Sequence, residues 1–231
     1  MVKENIARIQ ARIAAACIKA GRDPRGVRIV AVSKNRTVQE LREAIDAGIT
    51  DIGENKVQEA HLKYNTLKAA GTGFSSVKWH MVGHLQTNKV KDAVRIFDLI
   101  QSVDSLHLAQ EIDKQAVRIN KIQDVLVEIK TSPEATKTGL KTDAALEVIN
   151  ECSSLKNIRV QGLMTIAPLV DDPEMVRPYF KMLRELRDTF GSKLKTQNSE
   201  LILSMGMSDD FEVAIEEGSD MVRIGRAIFE S

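Results

Sequence analysis

Aromatic side chains are scarce in this sequence: one tryptophan, two tyrosines and six phenylalanines in 231 residues. So few rings leave no stacking platform for single-stranded nucleic acid. An excess of one charge is also missing. Lysine and arginine number 33 against 32 aspartates and glutamates, a formal net charge of +1. Nucleic acids and anionic membranes are recognised through a positive excess, so neither is expected as a partner. Only two cysteines occur, Cys17 and Cys152. They form no disulfide framework and no metal-type spacing, which suits a reducing compartment. No run of about 18 apolar residues is present, and the opening "MVKENIARIQ" has no signal-type apolar core. A cytoplasmic protein is expected.

What is present is ordinary in amount and regular in order. Hydrophobic residues make up 43% and charged residues 28%, as in globular proteins. Ile6, Ile9, Ile13, Ala16 and Cys17 share one helical stripe in residues 3–20, and Gly21 stops it. Eight apolar runs follow, at 27–33, 49–54, 77–83, 99–103, 124–130, 158–166, 201–206 and 220–225. Amphipathic helical segments separate them. Strands apolar on both faces that alternate with helices predict a parallel sheet. Eight such units in about 200 residues predict a (β/α)8 TIM barrel near its lower size limit. A doubly wound open sheet is the alternative. No linker, repeat or low-complexity segment breaks the pattern, so residues 1–231 read as a single domain with an extra N-terminal helix.

In barrels of this kind chemistry gathers where strands end. "IVAVSKNRT" ends a strand at Lys34. A lysine there is ordinarily solvated, but at an apolar barrel mouth burial would lower it from about 10.4 towards a neutral amine. Such an amine attacks aldehydes and forms a Schiff base. "LILSMGMSDD" places Ser204, Gly206 and Ser208 at the seventh strand end, and "VRIGRAIF" places Gly225 at the eighth. These two loops form the usual phosphate cradle of barrel enzymes. Asp209 and Asp210 read as helix-starting residues turned outward. Arg223 shares a face with Gly225 inside the last strand. It serves either the ring nitrogen of a bound cofactor or an ion pair with Glu54 or Glu128. His80 and His84 share a face without a third ligand nearby, so a buried, hydrogen-bonded His80 is expected rather than a metal site. Methionines such as Met164 more often pack than touch ligands.

"AVSKNRT", "GENKVQEA", "WHMVGHLQTNK", "KTGL", "GLMTIAP" and "LSMGMSDDFEVAIEEGSDMVRIG" together resemble the pyridoxal phosphate homeostasis proteins (YggS/PROSC family) over about residues 5–229. The resemblance implies a barrel like the N-terminal domain of alanine racemase. It implies pyridoxal phosphate (PLP) held as a Schiff base on Lys34, with Asn55 near the ring. Ser204, Gly206, Gly225 and Arg226 would hold the phosphate, and Arg223 would face the pyridine nitrogen. Lys137, in the family's short lysine–threonine–glycine loop, would touch ligand at the pocket mouth, and Met164 joins the cofactor set. Relatives end the last segment in "IFG" and a basic tail, whereas this chain ends "IFES", so a shorter C-terminal helix end is expected.

The resemblance implies a cofactor carrier that serves PLP homeostasis and delivers PLP to PLP-dependent apoenzymes. The alternative is a racemase or lyase using the same lysine. A two-base racemase needs an acid/base group on each face of the cofactor. In the racemase fold that the resemblance implies, the second is a tyrosine from a separate domain of the partner subunit, and the only tyrosines here, Tyr64 and Tyr179, fall in helical patterns. An arginine at the ring nitrogen also makes the ring a poorer electron sink. A monomer without substantial catalysis is therefore expected.

Overall fold

The computed structural model describes residues 1–69, 71, 74, 76–132, 138–193 and 201–230. Each apolar run becomes a strand: β1 Arg28–Val32, β2 Asp51–Glu54, β3 Lys78–Met81, β4 Leu99–Val103, β5 Gln123–Lys130, β7 Ile158–Met164, β8 Ile202–Ser204 and β9 Met221–Ile224. A two-residue strand that sequence did not suggest, β6 Leu140–Lys141, lies beside the end of β5. The eight main strands are parallel and run β1-β2-β3-β4-β5-β7-β8-β9. Two pairings close the ring, Val30 with Arg223 and Leu99 with Asp124. The expected barrel forms, and the open sheet is excluded.

Helices follow the strands: α2 Val38–Asp46, α3 Val57–Ala69, α4 Val90–Ile96, α5 Leu106–Val117, α6 Thr142–Ser154, α7 Arg177–Lys193, α8 Phe211–Glu216 and α9 Arg226–Phe229. Local chemistry sets their starts. Thr37 Oγ1 accepts from Glu40 N–H while Thr37 N–H donates to Glu40, a reciprocal cap on α2. Ser105 caps α5 through Leu108 N–H.

The last two helices are only six and four residues long, too short to cover the strands they follow. The extra helix α1, Val2–Lys19, fills that gap by packing on α8, α9 and α2. Its expected stripe is buried, and Asn5 Nδ2 donates to the carbonyl of Ile228 at 2.9 Å. Both cysteines are free and buried, and burial pushes the Cys152 thiol up to about 11. Among the described residues no helix is long and apolar enough to cross a membrane.

Two apolar clusters result. The larger lies between strands and helices. The smaller fills the barrel interior: Val30, Val82, Leu99, Leu126, Met164 and Met221. Strand alternation puts polar residues on those same inward faces. His80 accompanies Val82, Gln101 accompanies Leu99, Glu128 accompanies Leu126, and Arg223 accompanies Met221. All four polar side chains are buried. A buried polar group is costly unless hydrogen-bonded, so the partners of these groups decide what the interior does.

Candidate functional site

Lys34 sits on a tight turn. Residues 33–36 close it through Arg36 N–H to Ser33 O at 2.9 Å. Asn35 takes φ 59°, a left-handed conformation that asparagine tolerates better than most residues. The turn projects Lys34 into the mouth of a cavity of about 410 Å³ at the C-terminal ends of the strands. Lys34 is exposed there, so the burial that sequence suggested is not found. Its Nζ has no hydrogen-bond or ion-pair partner among the described residues.

Two buried groups hold that turn from behind. Lys63 on α3 donates to Ser33 O at 2.6 Å and pairs with Glu54 at 2.5 Å. Ser33 Oγ donates to the same Glu54 oxygen. Glu54 is fully buried, and its second oxygen has no partner.

The same cavity is lined by Asn55, Arg223, Gly225 and Arg226, and by Ser208, Asp209 and Asp210. Among the described residues, the backbone N–H groups of Ser208, Asp209, Gly225 and Arg226 have no acceptor. Two loops thus offer free donors to one space, which is the chemistry of an anion cradle. At Gly225 a Cβ would approach Val32 O to 3.3 Å and crowd the wall. Arg226 is paired with Asp209. Asp210 is not turned outward as expected. It is buried, accepts from Met207 N–H at 2.6 Å, and its carboxyl is pushed up by burial.

Arg223 is only 4% exposed. It makes neither of the ion pairs weighed from sequence: Glu54 is taken by Lys63, and Glu128 accepts from Thr138 Oγ1 at 2.7 Å. Arg223 instead donates to Ser204 Oγ at 2.7 Å and to Thr165 O at 2.8 Å. Burial pushes the guanidinium down to about 10, so it remains a cation at neutral pH.

Ser204, Gly206 and Met164 do not line the cavity. The Ser204 hydroxyl is held between Arg223 and Gln101. Gly206 takes φ 93°, and a Cβ there would lie 2.6 Å from that of Ala214, so the glycine seats the loop on α8. Met164 packs in the inner apolar cluster. Lys137 lies outside the described residues. His80 is buried and hydrogen-bonded as expected, whereas His84 is exposed and reaches Asp104 at 3.2 Å.

Burial also raises the Glu128 carboxyl, against the opposing hydrogen bond from Thr138. A raised folded value means that the folded state keeps its proton longer. Its contribution is complete below the unfolded value of about 4.3 and is lost as pH rises through the folded value. Glu128→Gln keeps an acceptor for Thr138 and removes the titration. It should raise the thermal midpoint at pH 7 and leave it unchanged near pH 3.5. An equal gain at both pH values would refute the assignment.

The family model described as the alanine racemase N-terminal domain matches residues 2–231. The pyridoxal phosphate homeostasis protein of Aquifex aeolicus is 43% identical over 98% of this chain and 96% of its own. The chain belongs to the pyridoxal phosphate homeostasis protein family. Within the family, the PipY structure from Synechococcus elongatus with PLP bound superposes with a TM-score of 0.86 at 31% identity, over 99% of this chain and 100% of that one. Outside it, alanine racemase of Clostridium difficile shares the fold, with a TM-score of 0.73 at 16% identity. The matched region covers 98% of this chain and 56% of the racemase.

Sequence reasoning missed Lys63, Gln101 and Asp51, although all three are buried and hydrogen-bonded, Lys63 behind the Lys34 turn and the other two in the barrel interior. A lysine between Leu62 and Tyr64 in a helical pattern gives no sign of its Glu54 partner.

Proposed function

We propose that this chain binds pyridoxal 5'-phosphate and serves intracellular PLP homeostasis and delivery to PLP-dependent apoenzymes, as a cytoplasmic monomer without substantial catalysis of its own. One domain, residues 1–231, carries the site. The observation that bears most weight is the convergence, in one cavity, of an unpartnered lysine amine, four free backbone N–H groups and a buried cationic arginine. An aldehyde, a phosphate and an aromatic ring nitrogen are the complementary ligand groups.

Lys34 would hold the cofactor through its Nζ, the one group of this set that can condense with an aldehyde. The Ser208–Asp209 and Gly225–Arg226 N–H groups take the phosphate, with Arg226 beside it. Asn55 stands by the ring and Arg223 faces its nitrogen. Ser204 and Gly206 act from behind the wall, one holding Arg223 and the other shaping the loop; Met164 packs beneath. Bound PLP would supply an electrophilic aldehyde and an electron-accepting ring. Among the described residues, the cavity lining contains neither tyrosine nor histidine to move a proton on the ring's second face. Tyr64 packs edge-on to Trp79 instead.

The test is reduction of the PLP-loaded protein with borohydride, followed by peptide mass mapping. The pyridoxyl mass should appear on the peptide containing Lys34. The same loaded protein, given an amino-acid panel in heavy water, should exchange no α-hydrogen faster than PLP alone. A label on another lysine sinks the Schiff-base assignment, and rapid exchange with one amino acid sinks the carrier reading.

A further inference from the structure

The buried polar groups of the barrel interior are joined in one line. Arg223 Nη1 donates to Ser204 Oγ at 2.7 Å, and Ser204 Oγ donates to Gln101 Oε1 at 2.6 Å. Gln101 Nε2 stands 2.9 Å from His80 Nδ1, and His80 Nε2 stands 2.9 Å from Asp51 Oδ1. Thr50 Oγ1 donates to the other Asp51 oxygen at 2.6 Å. The line runs from the cavity wall to the first residue of β2.

Its direction is fixed by donor capacity. Gln101 Nε2 also lies 3.0 Å from Met221 Sδ, which accepts only. The amide nitrogen therefore faces both Met221 and His80, and the amide oxygen faces Ser204. His80 Nδ1 must then be the bare acceptor, and Nε2 carries the proton donated to Asp51. All four hydrogen bonds point the same way, with a cation at the start and an anion at the end. Bonds aligned in this way polarise one another. Burial opposes the Asp51 carboxylate, but the hydrogen bonds from His80 and Thr50 outweigh it and hold the group below its usual range. Arg223 has two acceptors for its five N–H donors among the described residues, and no carboxylate there is hydrogen-bonded to it, although the charges of Asp210 and Glu128 act on it through space.

We propose that Asp51, His80, Gln101 and Ser204 are positioning residues for the cavity: their one-way hydrogen-bond chain fixes the Arg223 guanidinium and carries the influence of the Asp51 charge to it. The consequence for a bound ring rests on the reading that Arg223 faces the PLP nitrogen. The chain itself does not.

The two are tested separately. Side-chain nitrogen NMR of the ligand-free protein should show His80 with Nδ1 bare and Nε2 protonated. Asp51→Asn should shift the Arg223 guanidinium signals. In the Gln101→Leu background the same substitution should still move His80 and no longer move Arg223. Thr50→Val removes only one donor to Asp51 and should produce a smaller Arg223 shift, which keeps the test alive should Asp51→Asn fold poorly. Unmoved Arg223 signals, or equal shifts with and without Gln101, would overturn the chain. With PLP added, Asp51→Asn should displace the visible absorption band relative to the wild type. The NMR pattern without that displacement would uphold the chain and overturn the ring-nitrogen reading of Arg223.

Discussion

Lys63→Met should cost roughly 3–5 kcal/mol of folding stability, the penalty for leaving a buried charge without its partner. Glu54 is fully buried and meets Lys63 at 2.5 Å. Its second oxygen already has no partner, so only the Ser33 hydroxyl would remain. Methionine fills much of the space of the lysine stem, which separates the lost charge from lost packing. Ser33 O would lose one of its two donors, and the turn bearing Lys34 would loosen. Denaturant unfolding reads the first effect. Slower borohydride-trapped labelling at Lys34 reads the second. Adding Glu54→Gln to Lys63→Met should restore most of the stability, because a neutral amide needs no counter-ion. If the double variant were as unstable as the single, packing rather than charge would be the cause.

The pair also shows what the sequence could and could not disclose. Strands and helices were legible because the barrel wall is apolar towards its helices and its helices are amphipathic. Lys34 was legible because a polar residue ends an apolar strand. Lys63 was not, since its partner lies nine residues earlier on another element and its helical context looks solvated. The interior line was hidden for a related reason. Asp51, His80 and Gln101 each sit beside apolar residues, and only closure of the barrel brings them together. Asp210 was misread as outward because its acceptor role depends on the Met207 N–H, a loop detail that charge patterning does not encode. The strand β6 is two residues long and too short for any period.

Gly162→Ala should be the most damaging glycine-to-alanine substitution among the described residues, with a loss beyond about 4 kcal/mol or no soluble product. Gly162 of β7 stands opposite Ile202 of β8. A Cβ there would lie 2.0 Å from the Ile202 carbonyl oxygen and 2.7 Å from its nitrogen. Both are backbone atoms, so no side-chain rotation relieves the clash. The strand register shifts just before this point: Val125 faces Val160 but Leu126 faces Gly162. A glycine at such an irregularity lets the neighbouring backbone come close. Relief requires β8 to move, and β8 is only three residues long and ends at Ser204. The damage therefore travels to the hydroxyl that holds Arg223, and any folded fraction should bind PLP more weakly as well. Gly26→Ala is the control, because a Cβ there meets nothing within 4 Å. Soluble yield and thermal midpoint of the two variants decide the matter. Near-equal midpoints would mean that β7 and β8 can part without cost, which a closed barrel does not allow.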